Sequence, residues 1–402
     1  MSKQPAYLVL NAGSSSLKFS AFRQCSHNDE LETLISGQIS GIGSRAHFEA
    51  KGADRHRLAE HAWNEEDSAC RDTLLQYVLG WIQDTLVDDE IVAVGHRVVH
   101  GGRNLGQPMR VSSKLLDELD SLIPLAPLHQ PHNLAPMRIL ARNFPDMEQV
   151  ACFDTAFHSS QPWLARTFAL PQELTDEGVC SYGFHGLSYE YVTGKLLENR
   201  PDLADKHIVI CHLGNGSSIC AVKGGKSMDT SMGFSALDGV PMGTRTGSID
   251  PGVILYLMRE KQMGLDELED LLYKQSGLLG VSGLSNDMKV LQESNDPNAE
   301  KAVELFCFRV AKEVAALASS MGGLDALVFT AGIGENSPEI RAKIAERLTW
   351  LGVKVDAEAN KNREYYIAAA DSLVPVFVMP TNEEMMIARH TINVLGQMMG
   401  NA

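Results

Sequence analysis

The sequence predicts two mixed α/β lobes, and three observations carry that prediction. A short apolar run, a Gly/Ser/Asn turn and a second apolar run occur twice, once in each half of the chain. The first copy is Leu8-Val9-Leu10-Asn11-Ala12-Gly13-Ser14-Ser15-Ser16-Leu17-Lys18, and the second is Ile208-Val209-Ile210-Cys211-His212-Leu213-Gly214-Asn215-Gly216-Ser217-Ser218-Ile219. Between and after them, strand-like runs alternate with helical periodicity. The 402 residues are enough for about two domains.

Each copy reads as a β-hairpin with a small-residue tip. Such a tip lets backbone N–H groups approach an anion, and its Ser hydroxyls add donors. A lone Gly/Ser turn between strands is usually only a turn. Two of them, with Lys18 just past the first, point to two lobes gripping one phosphate chain.

The first hairpin covers residues 6–23, and short strands follow at 31–40 and 46–51. Leu74, Leu75, Val78, Leu79, Ile82 and Leu86 recur at helical spacing, which predicts a helix over 67–87. Ile91–Val94 is a buried strand leading into Gly95-His96-Arg97-Val98-Val99-His100-Gly101-Gly102. A helix over 113–123 comes next. Pro124, Pro127 and Pro131 then make residues 125–133 a loop. A helix over 133–143 and a strand over 148–153 close the first lobe. The second hairpin opens the other lobe, followed by helices over 266–275 and 298–321. A strand over 326–329 turns through Gly332-Ile333-Gly334-Glu335-Asn336 into a helix over 338–350. The last strand, 374–379, runs through Pro380-Thr381-Asn382-Glu383-Glu384 into a closing helix.

Composition narrows the function. The formal net charge is −16 and no Lys/Arg-rich run occurs, which argues against nucleic acid as a partner. No apolar stretch reaches ~18 residues, so no membrane span is expected. The N-terminal apolar run is too short for a signal peptide. The seven cysteines are scattered without a C-x-x-C, as in a reduced cytoplasmic protein. An acidic protein that handles an anion must gather its few cations at the site.

The common nucleotide signatures are missing. Gly225-Lys226-Ser227 could end a Walker A motif, but Cys220 stands where its first glycine belongs. Gly332–Asn336 lacks the last glycine of a dinucleotide fingerprint, although a glycine turn between strand and helix suits a nucleotide's sugar and phosphate. Arg97 and Arg245 lie among glycines, placed to meet a phosphoryl group or a carboxylate bidentately, or to form surface ion pairs. His129, His158 and His185 lie in loop-like segments. His96 and His100 have metal-like spacing but read as structural. Asp154 follows a buried strand. Glu383 and Glu384 stand where strand becomes helix, suited to holding Mg2+ through water or to capping.

Taken together, these segments resemble the acetate/propionate kinase family. The matching stretches are 11–18, 95–102, 126–129, 153–158, 182–186, 212–216, 229–233, 242–251, 332–336 and 380–384, in the family's order along nearly the whole chain. The resemblance implies the two-lobed actin-like ATPase fold of sugar kinases, actin and Hsp70 chaperones, with duplicated ribonuclease H-like domains. It implies an N-terminal lobe of 1–153 plus 384–402 and a C-terminal lobe of 154–383 that binds nucleotide and dimerises. It implies reversible, in-line phosphoryl transfer from ATP to acetate in the interlobe cleft, giving acetyl phosphate and ADP.

By position, Asn11 and Glu383 would organise Mg2+, or Mn2+ in its place. Lys18 would serve the nucleotide. Arg97, Arg245 and His185 would surround the transferring phosphoryl group, with Asp154 the essential acid and His129 a further active-site histidine. His212, Leu213, Gly214, Asn215 and Gly216 would cradle phosphates. Asp287, Met288 and Lys289 would contact adenosine, and Gly332, Ile333, Gly334, Glu335 and Asn336 would hold the nucleoside. Val99, Leu128, Phe184 and Ala236 would line an apolar acyl pocket.

The chain departs from the family pattern at Ala236, where proline is usual, at Leu187 and Tyr189, where Thr and His are common, and at Lys289, where arginine is common. Val99 and Leu128 favour acetate, while Ala236 could reopen space for propionate, the alternative substrate. A sugar kinase would need a general-base Asp and a polar pocket. An ATP-binding switch protein would not need two arginines for an anionic acceptor.

Overall fold

The computed structural model describes residues 3–25 and 30–399, so residues 1–2, 26–29 and 400–402 of the expected first lobe lie outside it. The chain divides into two units, Met1–Ala156 with Asn382–Ala402, and Phe157–Thr381. Asp154 and Glu383, placed in the second lobe by the sequence reading, therefore belong to the first unit. The reason is packing: Asp154 pairs with a strand of the first sheet, and the helix that starts at Glu383 packs on the same sheet.

In the first unit, β1 (Gln4–Ala12) and β2 (Ser16–Gln24) pair antiparallel, with Ala12 opposite Leu17 across the Gly13-Ser14-Ser15 tip. β3 (Leu31–Ser40), β4 (His47–Gly52) and β5 (Arg57–Ala62) extend the meander. β6 (Asp89–Val98) runs parallel to β1, β8 (Glu148–Phe153) runs parallel to β6, and β7 (Met109–Arg110) closes the edge. The sheet order is β5-β4-β3-β2-β1-β6-β8-β7.

The second unit repeats the central pattern. β9 (Ile208–Leu213), β10 (Ser217–Lys223) and β11 (Lys226–Thr230) form an antiparallel meander, and β12 (Ala326–Thr330) and β13 (Val376–Val378) add in parallel. Its order, β11-β10-β9-β12-β13, copies β3-β2-β1-β6-β8. β8, β9 and β12 are almost wholly buried, as parallel strands covered on both faces must be. One core of this unit lies under helix Pro297–Met321, and another lies under helix Gly186–Asn199.

Several expected elements shift for local reasons. The 67–87 helix is broken at Cys70 into a 3-10 turn, Asp67–Ala69, and a helix, Arg71–Thr85. The 125–133 loop ends early, because helix Gln130–Asn143 takes Pro131 into its first turn, where no N–H is needed. Residues 331–336 are a short helix, Ala331–Asn336, not an open turn; it starts at Ala331 with φ 64°. Strand β5 and helices Gly186–Asn199 and Pro251–Glu260 are additions to the elements expected from sequence.

A Cβ at Gly95 would lie 2.4 Å from Thr391 Oγ1 and 2.6 Å from Ile387 Cγ2. Only glycine lets the closing helix, Glu383–Met399, pack this hard on β6. That contact carries Glu383 and Glu384 to the end of β6.

His96, His100 and His158 are buried, and burial pushes each imidazole down to about 4. His96 is bonded to Gln149 Oε1 at 2.9 Å, and His158 to Ser227 Oγ and the Phe184 carbonyl at 2.8 and 2.9 Å. All three are neutral in the fold above pH 4, while the unfolded chain protonates near pH 6.5. Stability should therefore be insensitive to them above pH 6.5 and fall by about 1.4 kcal/mol per pH unit for each as the pH drops towards 4. Buried carboxyls held above their usual range, Glu313 and Glu335 among them, oppose this as they take up protons. Thermal unfolding across pH 7.5 to 5 measures it, and a midpoint that does not fall below pH 6.5 would contradict this account.

Candidate active site

Arg97 and Asp154 anchor the site in the first unit. Arg97 is the penultimate residue of β6, and Asp154 follows β8 directly. The parallel register brings both to the same sheet end. Arg97 Nη2 donates to Asp154 Oδ2 at 2.6 Å, and Nε donates to Oδ1 at 3.0 Å. The Asp154 side chain is only 2 % exposed, so this is a buried bidentate pair. Arg97 Nη1 also reaches Asn11 Oδ1 at 3.4 Å, and Nε lies 3.8 Å from Glu383 Oε2. Burial opposes the charge on Arg97, but Asp154, Glu383 and Glu384 outweigh it and hold its pKa above the usual value. The Glu384 carboxyl is pushed up by burial first and by Glu383 next, against the pull of Lys18 and Arg97.

Side chains that sequence reasoning missed hold this corner rigid. Asn133 Nδ2 donates to the Ala12 carbonyl at 2.6 Å, and Asn133 Oδ1 accepts from Val99 N–H at 2.9 Å. One amide thus ties the hairpin tip to the segment after β6. Gln130 bonds both backbone groups of His100. Arg71 donates to the Gly13 carbonyl at 3.1 Å and to the Ser14 carbonyl, bracing the tip. His129 stands just before helix Gln130–Asn143, and its carbonyl accepts from the N–H groups of His132 and Asn133. Val99 is buried and Leu128 half-buried. Among the described residues, no group of three His, Cys, Asp or Glu side chains forms a preassembled metal cage.

In the second unit, His185, His212 and Arg245 converge on the second hairpin tip. His185 precedes helix Gly186–Asn199 in the left-handed region, φ 57°. Its ring stacks on His212 at 4.2 Å, with 13° between planes. Its Nδ1 bonds Ser218 Oγ at 2.8 Å, and Ser218 Oγ bonds Tyr189 OH at 2.6 Å. Burial drives the Tyr189 phenol well above its usual range, so it stays protonated. If the Ser218 hydroxyl donates to Nδ1, His185 keeps its proton on Nε2. A Cβ at Gly216 would lie 3.4 Å from that Nε2 and 3.6 Å from Arg245 Nη2. An imidazole nitrogen and a guanidinium nitrogen therefore face one bare glycine.

The departures in sequence have structural roles here. Tyr189 closes the Ser218 relay, and Leu187 is buried in the core. Ala236 offers its carbonyl to Arg245 Nη1 at 2.8 Å, a bond that does not depend on its side chain. Phe184 is buried, and its carbonyl accepts from His158 Nε2.

A pocket of about 650 Å³ opens in the same unit. Gly214, Asn215, Asp287, Met288, Lys289, Gly332, Ile333 and Asn336 line it, all expected from sequence. Asn286, Gln292, Ser337 and Arg363 also line it, and no local pattern marks them. Leu213 is buried within β9, and Gly334 packs against the Phe329 backbone. Glu335 turns away to accept from Thr381 N–H at 3.2 Å. His212 Nδ1 bonds Ser188 Oγ, which also bonds Thr381 Oγ1.

Comparison with known proteins agrees across the chain. The model of the acetokinase family matches residues 6–389. A curated relative from Nitrobacter hamburgensis, an acetate kinase, is 49% identical over 96% of this chain and 96% of its own. A propionate kinase structure from Francisella tularensis superposes with a TM-score of 0.89 at 38% identity, covering 98% of this chain and 100% of that one. A Porphyromonas gingivalis acetate kinase structure gives 0.86 at 33% identity, covering 97% and 100%.

Removing the Asn133 amide should loosen the first corner. Asn133→Leu leaves the Ala12 carbonyl and the Val99 N–H without their partner and should cost about 2–4 kcal/mol. Denaturant unfolding measures it; a loss under ~0.5 kcal/mol would show that the pin carries no stability.

Proposed function

The chain belongs to the acetokinase family, and on that premise we propose that it transfers the γ-phosphoryl group of ATP reversibly to acetate, giving acetyl phosphate and ADP. Its two units have the α/β sheets of the actin-like ATPase fold. The observation that carries the reading is the pair of cation clusters, Arg97 at the end of β6 and Arg245 with His185 beside Gly216.

Acetate is already ionised at pH 7, so the reaction needs no general base. The difficulty is to bring an anion to a polyanion and to stabilise the phosphoryl group in flight. Donors aimed at its equatorial oxygens do this. Arg245 Nη2 and His185 Nε2 are such donors. Arg97 meets the acceptor's carboxylate or the phosphoryl group, and Asp154 acts through Arg97 by fixing its plane. Val99, Leu128, Phe184 and Ala236 shape the acyl pocket. The 650 Å³ pocket holds the nucleoside, with Gly214–Gly216 leading to its phosphates.

Asn11 and Glu383 fit a magnesium site. Asn11 Oδ1 and Glu383 Oε2 both lie against Arg97, so two hard oxygen donors meet at one sheet end, with the Glu384 carboxyl next in the chain. When bound, Mg2+ neutralises charge on the β- and γ-phosphates.

The protein also assembles as a homodimer in this reading. Helix Pro251–Glu260 has no buried residue, yet it carries Val253, Leu255, Tyr256 and Met258, each 39–52 % exposed. A helix that leaves large apolar side chains exposed around its circumference is suited to burial against a partner. Tyr256→Glu should yield monomers by light scattering, while an unchanged mass would remove this face from the interface.

Acyl phosphate trapped with hydroxylamine, from Mg-ATP with acetate, propionate or butyrate, tests the reaction. Acetate should lead propionate in kcat/KM by about 10-fold, since one methylene is worth ~1–3 kcal/mol. Arg245→Ala should lower turnover by ~10³-fold without changing the fold. No acyl phosphate with any acid would overturn the activity; near-normal turnover in the variant would overturn the role of Arg245.

A further inference from the structure

Arg363 lines the 650 Å³ pocket but belongs to none of the motifs that mark it. It follows the short helix Ala357–Lys361. There the chain turns with Glu364 N–H donating to the Ala359 carbonyl at 3.0 Å and Arg363 N–H to the Asn360 carbonyl at 3.2 Å. This is the Schellman arrangement, whose turning residue is usually glycine. Arg363 occupies that place with φ 58°, a conformation that glycine adopts freely and other residues resist. A residue kept against its backbone preference is worth asking what its side chain does.

The turn is held from inside by a buried cation. Arg341 is wholly buried. It donates through Nε to Asn360 Oδ1 and through Nη2 to the Asn360 carbonyl, both at 2.7 Å. Its Nη1 donates to the carbonyls of Gly334 and Glu335 at 2.8 and 3.0 Å. The segment 332–336 and the turn at 360–363 are thereby fixed to one guanidinium. Burial is the main cause that pushes Arg341 down to about 10, and the charge of Arg363 adds to it.

Arg363 Nη1 donates to Asn336 Oδ1 at 3.1 Å, which orients its guanidinium on the pocket wall. The other cation of the wall, Lys289, is 82 % exposed and lies 3.9 Å from Glu293 on its own helix. Arg363 is exposed as well, but its bond to Asn336 gives it a defined orientation, and it is the planar cation of this pocket. The phosphate-facing donors, His185 and Arg245, gather instead at Gly216.

We propose that Arg363 is a nucleoside-recognition residue, its guanidinium lying against the purine of the bound nucleotide. This rests on the pocket being the nucleotide site. A planar cation over a π-system is attracted to it, and the fixed turn spares the ordering cost of binding.

Calorimetric titration of the full chain with ADP and, separately, with pyrophosphate tests this in the parent, Arg363→Gly and Arg363→Lys. Arg363→Gly should raise the Kd for ADP by about 10-fold and leave that for pyrophosphate unchanged. Its melting midpoint should equal or exceed the parent's, because glycine suits the turn. Arg363→Lys should not restore ADP binding, since the ammonium lacks the planar face. Unchanged ADP binding in Arg363→Gly would overturn the proposal while leaving the pocket as the nucleotide site. Equal losses for ADP and pyrophosphate would overturn it in favour of simple charge attraction. A parent that binds pyrophosphate and not ADP would overturn the pocket assignment and the proposal together.

Discussion

The first unit is organised around one constraint, that the buried carboxylate of Asp154 must be paired. A carboxylate at 2 % exposure is costly unless its lone pairs are filled. Arg97 fills them bidentately, and the parallel register of β6 and β8 is what brings the two together. Once Arg97 is fixed, Asn11 and Glu383 acquire their places around it. The excess of carboxylates then keeps the guanidinium charged at any accessible pH. A residue on a flexible loop could not hold this plane; one on a central strand end can.

The second unit meets the same problem with neutral groups. His185 is held by a chain of hydroxyls and imidazoles, Tyr189, Ser218, His212, Ser188 and Thr381. Such a network orients without adding net charge, which suits a place where the ligand is itself highly charged. Arg341 performs the analogous service for the pocket wall, with carbonyls in place of a carboxylate.

Much of this was legible in the linear sequence. The two hairpins, the alternation of strands and helices and the glycine-flanked arginines are local patterns, because strand pairing through a tight turn and helical periodicity are near-neighbour effects. The helix at Gly186–Asn199 was not legible. Its first turn, Gly186–Tyr189, is buried throughout, which blurs the helical period that Tyr189, Val192, Thr193 and Leu196 then follow. The boundary at Gln130 was misplaced because Pro131 reads equally as a breaker and as a first-turn residue. The short helix at 331–336 was hidden by its glycines, which read as a turn.

What the sequence determined by itself is the inventory: two copies of one anion-ready hairpin, two arginines in glycine-rich settings and an acidic chain in which cations are scarce. Motif residues such as Gly214, Asn215 and Asn336 could be expected at a nucleotide site because each lies in a short contiguous stretch that resembles a motif of the family. The supports could not. Asn133 meets Ala12 across 121 positions, Arg97 meets Asp154 across 57, and Arg363 meets Asn336 across 27. Nothing in an Asn or an Arg says which distant carbonyl or carboxylate it will satisfy. That is settled only when sheet register and helix packing bury those groups and leave one partner within reach.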